Sequence, residues 1–378
     1  MTLLKTAFWA STGLLVYTHA GYPAALAVLD RVRGSRSDAD RAVSDPELPG
    51  VSIIVAAYSE EAVVADRVAN LRALDYPADK LEVIVACDGS PDATAQRARD
   101  AGADLVLELP RAGKVRAQDA AVRHARHQIT AFSDANAIWE PDALRRLVAP
   151  FADPQVGYVC GQVRFLDPSG TNQEGLYWRY EMAVRTLESR LASVTGGNGA
   201  IYATRRDSYI VVDPIMGHDL SFPFNMVKRG WRAVYAPSAR ASEKMVPSIE
   251  GEFRRKRRMM SHGWPIMLRG GMLSLRSYDP GYAVMIVSHR VLRYASPFLH
   301  VGALASAVAL IGQGWVYVAA TVVQAGLLAA ALAARVVPLR PLLVARYYVL
   351  TTASLAAGLW DWLAHGTHAG WEAAEGTR

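Results

Sequence analysis

Cysteine is nearly missing from this chain. Cys87 and Cys160 are the only two in 378 residues, they have no metal-ligand spacing, and both sit in or beside apolar, strand-like runs. They read as buried free thiols in a reducing, cytosolic compartment rather than as ligands. Charge is missing too, in long blocks. Residues 6–29 hold no Asp, Glu, Lys or Arg, and neither do the 41 residues from Tyr294 to Ala334. About 20 apolar residues cross a bilayer as a helix. The first block therefore predicts one transmembrane helix, with Pro23 near its end, and the second predicts two, joined by a tight turn at Gly312, Gln313 and Gly314. A fourth span is expected from Pro341 to Trp362, with Arg346 snorkelling near one end. A cleaved signal peptide is the competing reading of the first block, but the run is long for one and only Lys5 precedes it. Few ionisable residues, Arg346 and His300 among them, fall inside the expected spans, too few for a transporter. No internal repeat is present.

What charge there is sits beside the apolar blocks. The net charge is +6 at 51% hydrophobic content, and the basic excess gathers at 31–41, 254–258 and 335–346. That is the pattern of a membrane protein's cytoplasmic side, not of a nucleic-acid surface, so no nucleic-acid partner is expected. Arg31, Arg33, Arg36 and Arg41, Arg290 and Arg293, and Arg335 and Arg340 all fall on one side of the expected spans. The reading is a multi-pass cell-membrane protein with its middle domain cytoplasmic and membrane lipids as partners. The expected parts are a transmembrane helix over 1–33, a linker over 34–49, a soluble domain over 50–248, interfacial amphipathic helices over 249–293, about three transmembrane helices over 294–362 and a tail over 363–378.

Within the soluble part strand and helix alternate. Strands are expected at 51–57, 81–87, 104–108, 129–133, 156–163 and 232–235, and helices at about 60–74, 92–101, 114–127, 141–151 and 174–192. Such alternation predicts an α/β domain with a mostly parallel sheet. Ligands in that architecture bind beyond the carboxyl ends of the strands. Polar clusters stand at those ends: AAYSEE, ACDGS, AGKVR and SDAN.

Each cluster has a chemical reading and a plainer one. Asp88 can accept hydrogen bonds from a base or ribose, with Gly89 letting the chain turn close to it, or ACDGS is an ordinary turn capped by Ser90 or Asp92. Glu60, in AAYSEE, is an acid of the kind favoured in a first helical turn by the helix dipole. Lys114 counters a diphosphate or is a solvated surface lysine. Asp134 is the strongest metal candidate, since Mg2+ or Mn2+ takes hard oxygen ligands; a cap at the sheet end is the alternative. Gly196, Gly197 and Asn198, in SVTGGNGAIY, allow close approach of a sugar or acceptor, or form a loop unrelated to binding.

In combination and order, these clusters resemble those of family 2 glycosyltransferases with the Rossmann-like GT-A fold, of the membrane-embedded branch that includes hyaluronan, cellulose and poly-N-acetylglucosamine synthases. The resemblance covers residues 49 to about 270. It implies a UDP-sugar donor contacted by Tyr58, Glu60, Asp88, Gly89, Lys114, Asp134 and Arg258, with Mg2+ or Mn2+ on Asp134 and Asn136. It also implies an acceptor loop at Gly196, Gly197 and Asn198, and Asp219 as the catalytic base of an inverting transfer. Three departures matter. The family's Asp-x-Asp is here Asp134-Ala-Asn136, and Asn136 ligates without adding charge. His218 stands where relatives often carry an acid, and it orients Asp219 or caps the helix that follows. The Gln-x-x-Arg-Trp signature of processive synthases keeps only Arg258, with Arg255 and Met259 at the outer positions; the same basic stretch also suits an interfacial helix.

The function expected is a metal-dependent, inverting glycosyltransferase acting on a lipid-linked or glycan acceptor at the cytoplasmic face. The alternative is a processive β-glycan synthase, for which four spans need a homo-oligomer or an export partner. A non-catalytic scaffold subunit for polysaccharide export ranks below both, because Asp88, Asp134, Asp219 and Arg258 are all retained.

Overall fold

A continuous apolar run with turn residues at its end makes an interior strand, and VSIIVAA and LEVIVACD are two such runs. In the computed structural model they are β1 (Val51–Ala57) and β2 (Leu81–Asp88), neighbours in register from Val51 opposite Leu81 to Ala57 opposite Cys87. The structure describes residues 1–34, 45–166, 174–246 and 248–370. Most of the expected linker, Arg36, Arg41 and residues 371–378 of the expected tail lie outside these.

The remaining strands are β3 (Leu105–Leu109), β4 (Ile129–Asp134), β5 (Ile138–Trp139), β6 (Val156–Leu166), β7 (Tyr202–Arg205) and β8 (Arg232–Lys244). They form one eight-stranded sheet in the order β3-β2-β1-β4-β7-β6-β8-β5. β3, β2, β1 and β4 are mutually parallel, as are β6 and β8. β7 runs antiparallel to both its neighbours, and β5 antiparallel to β8. The mixed α/β sheet is the expected fold. Successive residues of β1 serve opposite faces: Ile53 and Val55 join one core with Val68, Leu71 and Leu144, while Ile54 joins another with Ala117, Ala121 and Phe132. Both cysteines are buried and free, and burial pushes their thiols up to about 11.

Three differences from the expected elements have physical causes. β7 lies inside the stretch read as a glycine-rich loop, because only four residues pair, Phe132 opposite Tyr202 among them. β8 runs nine residues past its expected end at 235, since SARASEK buries only Ala239 and Ala241 on one face and looks polar as sequence. The first expected helix begins late, at Val64. Ser59 takes a positive φ of 52°, and the carbonyl of Glu60 accepts the Val63 and Val64 amides at 3.0 and 2.9 Å, forming a turn before the helix.

Among the described residues two helices, Trp315–Ala333 and Arg340–His365, are long and apolar enough to cross a membrane. At the expected first span, Thr2–Val16 and Tyr22–Arg33 run on through the π-helical turn Tyr17–Gly21 as one continuous helix. The helix Leu292–Ala309 and Trp315–Ala333 form a hairpin about Ile311–Gly314, at the expected turn. Arg346 does not snorkel. It is buried, pairs with Glu250 and donates to the Ala331 carbonyl at 3.2 Å. Glu250 belongs to the helix Ile249–Leu268, which is N-capped by Ser248 and lies along Arg340–His365. Arg257 grips Asp361 through two bonds of 2.6 Å, and the Trp264 indole donates to the Leu355 carbonyl at 2.8 Å.

The sheet domain is tied to the helix Tyr22–Arg33 and to the π-helical turn Ile286–Val291 through Glu188, on the helix Glu174–Leu191. Its carboxylate is fully buried and accepts from Tyr22 Oη at 2.7 Å, His289 Nδ1 at 2.8 Å and Thr195 Oγ1 at 3.0 Å. Two turns away Glu181 pairs with Arg293 at 2.5 Å. Three segments far apart in sequence therefore meet on one carboxylate. Glu188→Ala should leave three buried donors without their acceptor and cost on the order of 3 kcal/mol. Its thermal midpoint in detergent should fall clearly below wild type; an unchanged midpoint would contradict the role of Glu188 as the tie.

Candidate active site

Parallel strands that end together put their last residues on one rim, and the rim of β1, β2 and β4 carries Tyr58, Asp88 and Asp134. Asp88 is buried. Its Oδ1 accepts the amides of Ala112 and Gly113 at 2.7 and 3.0 Å, and its Oδ2 accepts the Gly113 amide at 2.9 Å. The carboxylate thus staples the loop before the helix Lys114–His124 to the end of β2. Gly89, at φ +67°, is required here: a Cβ would lie 2.7 Å from the Arg111 amide nitrogen. Arg111 itself lies over the Tyr58 ring, 3.0 Å from guanidinium carbon to ring centroid, and 3.6 Å from Asp88. Sequence reading missed Arg111, because nothing local in LPRAGK marks a partner for Tyr58.

The loop delivers Lys114 to Asp134, and the two form an ion pair. Burial disfavours the ammonium, but the charges of Asp134, Asp219 and Glu243 outweigh it and hold the Lys114 pKa above its usual value. A Cβ on Gly199 would stand 3.3 Å from Lys114 Nζ and 3.4 Å from Asp134 Oδ2, so a residue with no side chain walls the pair. Glu60 is buried, its amide donating to Thr94 Oγ1 at 2.9 Å.

Asp219 begins the helix His218–Lys228. Its carbonyl accepts the Gly197 amide at 2.6 Å, which joins the glycine loop to the candidate base. Lys114, Tyr158, Tyr202 and His262 all feel the Asp219 charge, so its carboxylate lies in the neighbourhood of the Lys114–Asp134 pair. His262 also feels Arg258, whose charge lowers its pKa where that of Asp219 raises it. His262, whose Nδ1 lies 2.9 Å from the Ile215 carbonyl, has its pKa lowered mainly by burial; it too went unmarked in the sequence.

Two of the expected residues are engaged by their surroundings. His218 does not orient Asp219 through a side-chain bond: its Nδ1 lies 2.8 Å from Tyr202 Oη, and its ring stacks on Phe222 at 4.0 Å. Burial, with the Lys114 charge, depresses it to about 3, so it is a neutral core histidine. Asn198 spends its carboxamide on the backbone, donating to Gly161 at 2.7 Å and accepting from Ile201 at 2.9 Å. It shapes the loop. A Cβ on Gly196 would strike Arg290, and one on Gly197 would strike Tyr158, so these glycines exist to let the loop pack. Arg185 Nη2 then fixes the Gly197 carbonyl at 3.1 Å.

Two further features border the site. Glu243, near the end of β8, has its carboxyl pushed up to about 7 by burial and by Asp134. The segment after the last helix crosses the donor loop: the Ala369 carbonyl abuts Gly113, and Thr367 Oγ1 donates to the Ser261 carbonyl at 2.7 Å.

Among the described residues no three His, Cys, Asp or Glu side chains form a preformed metal cage. The rim nonetheless suits a hard cation. Its potential donors are oxygens, from Asp134, Asn136 and Glu243, and Asp134 already holds a positive charge in the Lys114 ammonium.

Comparison with known proteins adds the lineage. The model of a family described as "Glycosyltransferase like family 2" matches residues 49–261. Poly-beta-1,6-N-acetyl-D-glucosamine synthase of Staphylococcus aureus (strain COL) is 24% identical over 235 residues, 59% of this chain and 57% of that protein. An N-acetylglucosaminyltransferase of Mesorhizobium japonicum is 28% identical, covering 55% of this chain and 54% of its own. The chain thus spans little more than half the length of these curated relatives. A mannosyltransferase from Pyrobaculum calidifontis, solved with GDP-Man and Mn2+, superposes with a TM-score of 0.71 at 24% identity, covering 96% of this chain and 99% of that one. At that identity the likeness establishes the shared fold.

Asp88→Ala should leave the Ala112 and Gly113 amides unpaired and cost about 1–3 kcal/mol. Thermal unfolding should show a lowered midpoint, and an unchanged one would mean that the donor loop does not depend on this carboxylate.

Proposed function

Because the chain belongs to glycosyltransferase family 2, we propose that it moves a sugar from a UDP-activated donor to a lipid-linked or glycan acceptor, with inversion, at the cytoplasmic face of a membrane. The observation that carries this reading is the Lys114–Asp134 pair at the strand rim, with Asp219 in its neighbourhood. Breaking a half-buried ion pair is costly unless each partner receives a replacement. A cation-bound diphosphate supplies both at once, positive charge to Asp134 and negative charge to Lys114.

In this reading Tyr58, Arg111, Gly89 and Asp88 bound the nucleoside pocket, with Glu60 beside it. Lys114 and Arg258 hold the diphosphate, and Asp134 and Asn136 hold Mg2+ or Mn2+. When bound, that cation neutralises charge developing on the leaving diphosphate. Asp219 takes the proton of the acceptor hydroxyl as that oxygen bonds to the anomeric carbon. The bond from that carbon to the diphosphate oxygen breaks, and its electron pair leaves with the nucleotide. Attack opposite the leaving group inverts the anomeric centre. Gly196, Gly197 and Asn198 shape the acceptor side by holding the loop against Asp219.

The membrane arrangement belongs to the same proposal. Residues 1–33 and the helices of 294–362 anchor a catalytic domain over 50–248, with the helices of 249–293 at the interface. A processive synthase is the second reading, suggested by the synthase among the relatives. Met259 stands where the processive signature has tryptophan, and the nearby Trp264 is buried against Arg340–His365. Transfer to a short or lipid-linked acceptor is therefore favoured.

Membranes carrying the full chain, supplied with radiolabelled UDP-sugars (UDP-N-acetylglucosamine first, GDP-mannose for comparison) and Mg2+ or Mn2+, should yield label in the lipid-extractable fraction. Asp219→Asn should keep nucleotide binding while transfer falls about a hundredfold or more. Normal transfer by this variant would remove Asp219 as base. Label in a large insoluble product would favour the processive reading, and no label with any donor would favour a scaffold.

A further inference from the structure

The turn from Asp134 to Asn136 carries one carboxylate, and a hard divalent cation that must also bind a diphosphate is held better by two. We propose that Glu243, from the far end of the sheet, is the second acid of this cation site. The proposal rests on the reading of Asp134 as a cation ligand.

The placement follows from strand register. β5 pairs antiparallel with β8, Trp139 opposite Ala241 and Ile138 opposite Ser242. Carried on by one residue, the register sets Glu243 opposite Ala137. Ala137 lies within the rim turn, its amide bonded to the Asp134 carbonyl at 3.3 Å. Alternation along β8 puts Glu243 on the face of Ala239 and Ala241, which are fully buried in the core beside Trp139. On that face stands Arg67, itself buried, its guanidinium 5.1 Å from the Trp139 ring centroid. Arg67 Nη1 donates to Asn70, while its Nε and Nη2 are buried with no hydrogen-bond partner among the described residues. Asp134 and Glu243 are the two acids that act on this guanidinium. A buried arginine with donors to spare beside two carboxylates marks a polar space built for a further group, and Lys114 and Arg255 complete its charged wall.

Glu243 escapes motif reading because it stands 109 residues after Asp134, in a stretch that reads as a polar loop. Closure of the sheet, through the short β5, brings it to the turn. Asn136 then contributes neutral oxygen while Glu243 contributes charge from the opposite wall.

The test is Mn2+ affinity, read by the electron paramagnetic resonance signal of free Mn2+ titrated with the full chain in detergent and UDP present. Glu243→Gln should weaken Mn2+ binding about tenfold or more while keeping a wild-type thermal midpoint, and Asn136→Asp in the same chain should restore affinity by returning the charge to the turn. Asp134→Ala should lose binding altogether. Wild-type affinity in Glu243→Gln alongside loss in Asp134→Ala would overturn the role of Glu243 and leave the cation site standing. Weakened binding that Asn136→Asp fails to restore would also overturn it, assigning Glu243 to the fold. Undiminished binding in Asp134→Ala would remove the cation reading and this inference with it.

Discussion

An ion pair between Lys114 and Asp134 organises the site. Each partner is delivered by a separate piece of backbone: Asp134 by the end of β4, and Lys114 by a loop that Asp88 pins to the end of β2. Asp88 accordingly acts at one remove. By holding the Ala112 and Gly113 amides it sets where the helix carrying Lys114 begins, and with Gly89 it clears the space that Arg111 crosses to reach Tyr58. The ion pair is also a lock. A ligand that touches only one partner strands the other's charge in a poorly solvated place, so the pair selects for ligands that present both signs a few ångströms apart.

A second constraint joins this rim to the helices long enough to cross a membrane. Glu188 gathers Tyr22, Thr195 and His289; Arg257 grips Asp361; Arg346 reaches Glu250. Thr195 immediately precedes Gly196 and Gly197, and the Gly197 amide bonds the Asp219 carbonyl. The loop beside the candidate base is therefore held from behind by the helical segments that carry Tyr22, Glu188 and His289. The rim and the long apolar helices thus share one polar framework.

Much of this was legible in the sequence, for a simple reason. Interior parallel strands are nearly continuous apolar runs, so their ends stand out, and Tyr58, Asp88 and Asp134 stand at those ends. Lys114 followed from its glycine and the helix behind it. What stayed hidden depends on pairing across the sheet or between distant helices. β7 has four residues and no apolar run of its own, and β8 past Ala236 looks like a polar loop. Arg111 needs Tyr58 to mean anything, Arg346 needs Glu250, and Glu243 needs β5 to bring it to Asp134. The partners of His218 and Asn198, Tyr202 and Gly161, were hidden in the same way, because they are chosen by packing and not by neighbours in the chain.

The most direct test of the ion pair as the donor lock is a crystal of the chain grown with Mn2+ and UDP, its manganese located by anomalous scattering. The account predicts an anomalous peak at ligating distance from Asp134, bridged to the diphosphate, with Lys114 moved from the carboxylate onto a phosphate oxygen. A nucleotide bound at the rim with the Lys114–Asp134 pair intact and no manganese on Asp134 would contradict it.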